Sequence, residues 1–365
     1  MIPILYPADS TSWWSNNGLG GLPDAISCIV TEQRNTPGGY WLEMDYPITG
    51  LHFDLLAPER IIYAVPSMGN TPQPFRISRI SRPINGVVHI EAPHISAALK
   101  TLVTHGTQTG TDVATMGRAF FAQARDIGQS THFDFASNVV TPAAITLDHR
   151  EPASMMDVLL GAEGSILDQA GGEFEFYEFD VVLHAQRGVD SGIEIRYGVN
   201  MSDLEAETDA TNLVTAVLPY WKGSVAGSDT IILGSICTAA NASAYAYVRC
   251  IPLDVSDQFQ LEQDQFPTSS QITEKGQAFI NSSSGNQLQM IIRVKYESIT
   301  DAIGERRINL CDTVSVVHPE LHVSSTSKVV EMVYNTLTEH YDELTIGSIQ
   351  QTIVDTIAGL LRRWR

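Results

Sequence analysis

Along much of the chain, apolar and polar residues alternate with period two, and the runs are cut by Gly, Pro, Asn and Asp. Such alternation marks strands with one buried face and one wet face. Up to about residue 95 it predicts short strands at Ile26–Thr31, Tyr40–Tyr46, Leu51–Leu55, Ile61–Val65, Phe75–Ile80 and Val87–Ala92. Asn35-Thr36-Pro37-Gly38-Gly39 is a turn between the first two. From about His94 the period changes. Ile95–Leu102 and Met116–Asp126 have helical spacing, and Met155–Leu160 forms another helix with Ser154 as N-cap. Short strands are expected near Phe133 and Ile145. Sheet pattern returns over Glu173–Lys222: an aromatic strand through Phe174, Phe176 and Phe179 turns into Val181–Leu183, and Ile193–Tyr197 follows. Gln186-Arg187-Gly188 reads as a basic turn, Asp203–Asp209 as an acidic connector, and Val214–Tyr220 as the next strand.

Later strands are expected at Thr230–Gly234, Ala244–Ile251, around Leu253, Gln289–Tyr296, Val314–His318 and Lys328–Asn335. Ser270–Ile280 is helical, capped by Thr268 or Ser269. From Ile346, apolar residues recur three and four apart through Ile353, Ile357, Leu360 and Trp364, predicting an amphipathic C-terminal helix over 346–365. Arg362, Arg363 and Arg365 place cations at the negative end of its dipole. Periodicity alone therefore gives a mainly β chain with two helical insertions. The order of elements suggests two β-barrel-like domains, each interrupted by an inserted piece. The first spans 1–95, completed by about 190–212, with an α+β insertion over 96–190. The second spans 213–268 and 305–345, with a small inserted α/β piece over 269–304.

A chain of 365 residues exceeds what one hydrophobic core usually supports, which agrees with more than one domain. The net charge of −20, from 22 basic and 42 acidic side chains, argues against a protein that grips nucleic-acid phosphates. No apolar window of about 20 residues is long enough to span a membrane, and the N-terminus MIPILYPADS lacks the basic region of a secretory signal. Cys28, Cys237, Cys250 and Cys311 are far apart without a CxxC pair, so they read as buried small hydrophobes of a reduced compartment.

Several clusters invite a chemical reading, and each has a plainer one. His318-Pro319-Glu320-Leu321-His322 has the i, i+4 spacing of a zinc-protease helix, but Pro319 and the Ser-rich run after it place it in a loop between two strands. His89, Glu91, His94 and Asp54 suggest acid–base work. His89 and Glu91 alternate along a strand and share one face, while His94 follows Pro93 at a boundary, so a structural role is favoured. Gly164-Ser165-Ile166 lacks the second glycine of a nucleophile elbow, and Ile232–Cys237 has no elbow. Cys28 fits a thiol peptidase only as any cysteine would. Gly18–Gly21 is followed by Pro and Asp rather than a lysine, so it is a hairpin and not a phosphate cradle. No catalytic, metal or cofactor set emerges. Trp13 and Trp14, adjacent along the chain, cannot easily both face one core, so they are a candidate partner interface. The stripe Ile353, Ile357, Leu360 and Trp364 is another.

A set of ordered motifs points further. Asn17-Gly18-Leu19-Gly20, Leu42-Glu43-Met44-Asp45-Tyr46-Pro47, Glu163-Gly164-Ser165-Ile166-Leu167-Asp168, His184-Ala185-Gln186-Arg187-Gly188, Ile195-Arg196-Tyr197-Gly198-Val199-Asn200 and Asp312-Thr313-Val314-Ser315-Val316 recur in this order. Together they resemble the prophage tail proteins of Gram-positive phages, labelled prophage endopeptidase tail or minor structural protein. The resemblance spans almost the whole chain, and its family is similar in fold to the baseplate hub of contractile-tailed phages. It implies a structural tail hub at the virion tail tip, made in the host cytoplasm. Such a hub is a homotrimer of subunits with two barrels each, adapting a six-fold tube to a three-fold tip. Its implied partners are the distal tail protein ring, the tape measure protein and tail fibre or receptor-binding proteins, with DNA only passing through the lumen. Family members named for endopeptidase activity carry added cell-wall-degrading domains, for which the residues up to Arg365 leave no room. The alternatives are a tail-associated cell-wall lysin and a host-surface adhesin.

Overall fold

The computed structural model describes residues 1–13, 16–82, 84–161, 164–210, 213–225, 228–259, 265–282, 289–296, 300–301, 304–305 and 307–347. It is mainly β, with few helices, and divides into two compact units. One contains Met1–Ala206 and Ile292–Ile349, the other Glu207–Ile291.

The first unit is organised on a ten-stranded sheet. Its strands are β1 (Ser27–Gln33), β2 (Tyr40–Pro47), β3 (Arg79–Ser81), β4 (Val87–Pro93) and β5 (Asp190–Arg196). They continue with β6 (Met201–Asp209), β7 (Gln289–Tyr296), β8 (Thr313–His318), β9 (Val323–Asn335) and β10 (His340–Gly347). The order is β6-β7-β10-β9-β1-β2-β4-β3, with β8 pairing both β9 and β5. Period-two alternation is strict in β2 and β4: Leu42, Met44, Val88, Ile90 and Ala92 are buried, while Glu43, Asp45, His89 and Glu91 face outward. The inner face meets a four-stranded sheet through Leu5, Ile62 and Phe75, which share a core with Val30, Leu42 and Met44. At about 1.5–3 kcal/mol per fully buried large side chain, such a core is the main source of the unit's stability.

Strands from both expected barrels join this one sheet, because β1 pairs β9 antiparallel with Gln33 opposite Glu331. An open edge on either side would leave backbone groups unpaired, and pairing β1 with β9 removes both edges. The second core, on β5, β7, β8, β9 and β10, gathers Ile195, Val294, Val316, Met332, Tyr334 and Tyr341. The acidic run expected as a connector lies in strand β6. Asp203 and Glu205 face cations of β7 there, at 3.7 Å from Lys295 and 3.3 Å from Arg293. Cross-strand opposite charges let a charged sequence serve as an edge strand.

From Ile95 to His184 the chain alternates short helices with strands. A 3-10 helix, Ile95–Lys100, leads to a two-stranded ribbon of Val103–Asp112 with Val140–Ser154. Between the ribbon strands lies α1 (Val113–Asp126), capped by the Asp112 carboxylate on the Ala114 N–H. Then come α2 (Met155–Leu160), α3 (Ile166–Ala170) and a three-stranded sheet in the order Asp134–Ser137, Asp180–His184, Glu173–Tyr177. Ser154 caps α2 as expected, accepting from the Asp157 N–H at 3.1 Å. Phe120, Phe121, Phe135, Leu147, Leu159 and Phe174 form the core.

In the second unit, the strand Ala216–Val225 is central. It pairs antiparallel with Ser228–Leu233 and Cys237–Thr238 and parallel with Cys250–Asp254. Helix α4 (Ser269–Ser282) shares its core, with Ile272 and Ile280 against Val217, Trp221 and Leu253. The helix expected in a separate piece over 269–304 thus packs with the strands expected in the second barrel. Thr268 and Gln271 form a capping box: the Thr268 hydroxyl accepts from the Gln271 N–H at 3.3 Å, and Gln271 accepts from the Thr268 N–H at 2.8 Å. The expected strand Ala244–Ile251 begins only at Cys250, after a 3-10 turn at Ala242–Ala244.

At the C-terminal end, Ile346, expected in the amphipathic helix, is fully buried in strand β10. Ile353, Ile357, Leu360 and Trp364 lie outside the described residues, as does Trp14. Among the described residues no helix is long and apolar enough to cross a membrane.

Candidate functional site

The motif His184-Ala185-Gln186-Arg187-Gly188 returns the chain from the insertion to the large sheet, and while Ala185 and Gln186 are exposed, Arg187 turns inward. Its side chain is only 14% exposed. It donates to Glu32 at 2.8 Å and to the Phe174 carbonyl at 3.2 Å, and lies 3.7 Å from Glu175. Burial alone would lower its pKa, but Glu32 and Glu175 more than offset this and hold the cation charged. Beside it Glu173 accepts from Lys328 at 2.5 Å and from the Arg187 N–H at 2.8 Å, with Arg34 at 3.5 Å. Burial pushes the Glu173 carboxyl upward, yet these donors bring it below the usual range. Three cations and three carboxylates therefore close a junction between the insertion and strands β1 and β9.

Gly188 is needed for this crossing, since a Cβ there would sit 2.0 Å from the Cys311 carbonyl oxygen. Behind it Val189 donates to the Asp312 carboxylate at 2.9 Å. A cavity of about 180 Å³ opens nearby, lined by Glu32, Tyr40, Gln73, Glu175 and Arg187. Arg187 is already bonded to its own carboxylates, so the cavity offers no spare cation to an anionic ligand.

Exposed apolar side chains gather on loops at two ends of the large sheet. In one set Ile26, Ile48, Leu51 and Ile84 are all about half exposed or more. Their loops are tied together by Ile26 N–H to the Asp45 carbonyl, Ile48 N–H to the Gly86 carbonyl, and Leu51 N–H to the Asp24 carboxylate. In the other, Tyr197 stacks on His318 with centroids 4.2 Å apart, beside exposed Val199 and Leu321. Trp13 does not add to such a surface. It is 3% exposed, stacked on Tyr63 and Phe179, and fills an internal aromatic cluster with Tyr6.

The tempting chemical groups separate on folding. His318 ends β8, and its Nδ1 accepts from the Leu321 N–H at 3.3 Å across the expected loop, so His318 and His322 share no helix face. His94 is fully buried and stacked on Tyr40, and Asp54 lies in a 3-10 helix elsewhere. His89 and Glu91 do share the outer face, and they meet there two residues that sequence reasoning did not attach to them, Glu43 and Asp45 of β2.

Ser165 is fully buried as the N-cap of α3, accepting from the Asp168 N–H. Burial pushes the Cys28 thiol up to about 12, despite a hydrogen bond with Thr336, so it carries no thiolate at neutral pH. Cys237 and Cys311 are buried as expected, whereas Cys250 is exposed because its side of the Cys250–Asp254 strand faces away from the core. The glycines Gly20 and Gly21 form a short strand against Ile4 and Leu5, as a hairpin reading requires.

Residues 189–357 match the family described as prophage endopeptidase tail. No curated protein matches the chain in sequence. Three solved structures share the fold over nearly its whole length. Prophage tail protein gp18 from Listeria monocytogenes EGD-e aligns with a TM-score of 0.62 at 16% identity, over 99% of both chains. The 43 kDa tail protein of prophage MuSo2 from Shewanella oneidensis aligns at 0.59 and 11%, over 96% of this chain and 98% of that one. The tail protein from Neisseria meningitidis MC58 aligns at 0.56 and 10%, over 97% and 98%. Residues 189–357 thus carry the signature of the prophage tail family, and the chain around them has the fold of solved prophage tail proteins.

Proposed function

We propose that the chain is a structural component of a phage or prophage tail, acting as the hub at the tail tip. The observation that carries this reading is the likeness to the Listeria prophage tail protein over 99% of both chains. In this reading the hub is a homotrimer that closes the tail tube below the distal tail protein ring. It contacts the tape measure protein, supports fibres or receptor-binding proteins, and opens for DNA to leave. The apolar loop sets around Ile26 and Tyr197 suit subunit interfaces, and the net charge of −20 suits a lumen along which DNA slides without being gripped. Immunogold labelling of induced particles tests the placement. Label confined to the tail end farthest from the capsid is expected, and label along the tube or on the capsid overturns it.

A second reading rests on the word endopeptidase in the family's description. It makes the chain a tail-associated cell-wall lysin. A zymogram on host cell walls separates the two, because a lytic band from the 365-residue protein requires the enzyme.

A further inference from the structure

On the outer face of the large sheet, β2 and β4 place Glu43 directly opposite Glu91 and Asp45 directly opposite His89. Opposed glutamates in one cross-strand pair repel, and this costs stability unless a cation lies between them. The imidazole beside them is oriented for that cation. Its Nδ1 lies 2.8 Å from Asp45 Oδ1, which as a carboxylate can only accept, so Nδ1 carries a proton and Nε2 is the nitrogen left to face the two glutamates. Asp45 is itself fixed by the Ser27 hydroxyl at 3.1 Å. That Nε2 lies 3.8 Å from Glu43 Oε1 and 3.9 Å from Glu91 Oε1, and the three ligand atoms lie within 4.8 Å of one another.

We infer that Glu43, His89 and Glu91 form a site for a divalent first-row metal of the zinc class, with Asp45 as the positioning residue on the imidazole. Carboxylate on Nδ1 and metal on Nε2 is the arrangement that fixes tautomer and ring in histidine metal sites. A nitrogen with two carboxylates suits zinc better than calcium or magnesium, which prefer all-oxygen shells. With bonds of about 2.0 Å, a tetrahedral shell needs ligand atoms about 3.3 Å apart. The imidazole-to-carboxylate spacings of 3.8 and 3.9 Å need closing by roughly half an ångström, and the two glutamate oxygens, within 4.8 Å of each other, by up to about 1.5 Å, which side-chain rotation at these partly exposed positions can supply; water completes the shell. Arg79 also pairs with Glu91 through both carboxylate oxygens. The side chains of Glu43, Asp45, Glu91 and Arg79 sum to −2, which one divalent ion balances. Bound there, the ion would pin β2 to β4 on the solvent side, where no apolar packing does so.

Calorimetric titration of the full chain with Zn²⁺ at pH 7.5 in chelator-free buffer tests the site. One ion per chain with micromolar affinity is expected, and no heat with Mg²⁺ at the same concentrations. His89→Ala should weaken Zn²⁺ at least about 30-fold and Asp45→Ala about tenfold, while His322→Ala, on an exposed turn, should leave it unchanged. Far-UV circular dichroism checks that each variant is folded. Absence of saturable Zn²⁺ binding by the wild-type chain, or equal affinity in His89→Ala, overturns the assignment.

Discussion

Lowering the pH should destabilise the first unit through one buried ring. His94 is fully buried against Tyr40, at 4.5 Å between centroids, and Phe75, at 5.7 Å. Its Nδ1 accepts from the Ser96 N–H at 3.2 Å, capping the 3-10 helix Ile95–Lys100, and its Nε2 has no partner among the described residues. Protonation would set an N–H toward the Ser96 N–H, beside the Ser96 hydroxyl at 2.9 Å, and strand a charge on a fully buried ring. Burial accordingly pushes the ring pKa down to about 3. In the unfolded chain the ring titrates near 6.5. Below that value only the unfolded state binds the proton, so stability is fully present above about pH 6.5 and declines as pH falls toward 3. The slope approaches about 1.4 kcal/mol per pH unit, and the loss between pH 7 and pH 5 sums to about 2 kcal/mol.

Hydrogen exchange of the β2 amides, corrected for intrinsic rates, reads this loss within the unit concerned. Wild type should lose about 30-fold more protection between pH 7 and pH 5 than His94→Asn, which keeps an acceptor for Ser96 without a titrating ring. The other nine histidines are common to both proteins and cancel in the comparison. Parallel pH profiles in the two proteins would refute the reasoning.

Two further perturbations probe other parts of the chain. Arg187→Ala should cost about 3–5 kcal/mol, because it leaves Glu32 buried without its cation, while Arg187→Met with Glu32→Leu should recover most of that loss; urea midpoints decide, and a single-variant loss under about 1 kcal/mol would contradict the junction. Thr268→Ala removes one side of the α4 capping box and should lower protection of the first α4 turn by about 1 kcal/mol, read by amide exchange, with the first unit unchanged.

Local signals in the chain are legible because they need only neighbours. Ser154 before Met155, Thr268 before a helical period, and the alternation of Gln289–Tyr296 each specify an element within a few residues, and each is found where expected. The sequence alone is silent where the deciding partner is distant in it. Arg187 reads as a turn cation until Glu32, 155 residues away, is beside it. Asp203–Asp209 reads as a solvated connector until Arg293 and Lys295 face Asp203 and Glu205 from β7. His89 and Glu91 show their shared face in the alternation, but nothing in one strand tells which residues of β2 stand opposite. The adjacent Trp13 and Trp14 show only that both rings do not readily share one core; Tyr63 and Phe179, which enclose Trp13, come from remote segments.

The pairing of β1 with β9 sets a timetable for biosynthesis. Gln33 meets Glu331 only after 298 further residues have been made. At roughly 5–20 residues per second, β1 leaves the ribosome about 15–60 s before the strand that covers its far edge. During that interval the nascent sheet ends in an unpaired strand, which invites association between neighbouring chains on one message. The insertion and the second unit, whose pairings are nearer in sequence, can close meanwhile. Zipping β9 along β1 is then the late step that commits the whole first unit. A chain truncated before Val323 would expose that edge for good.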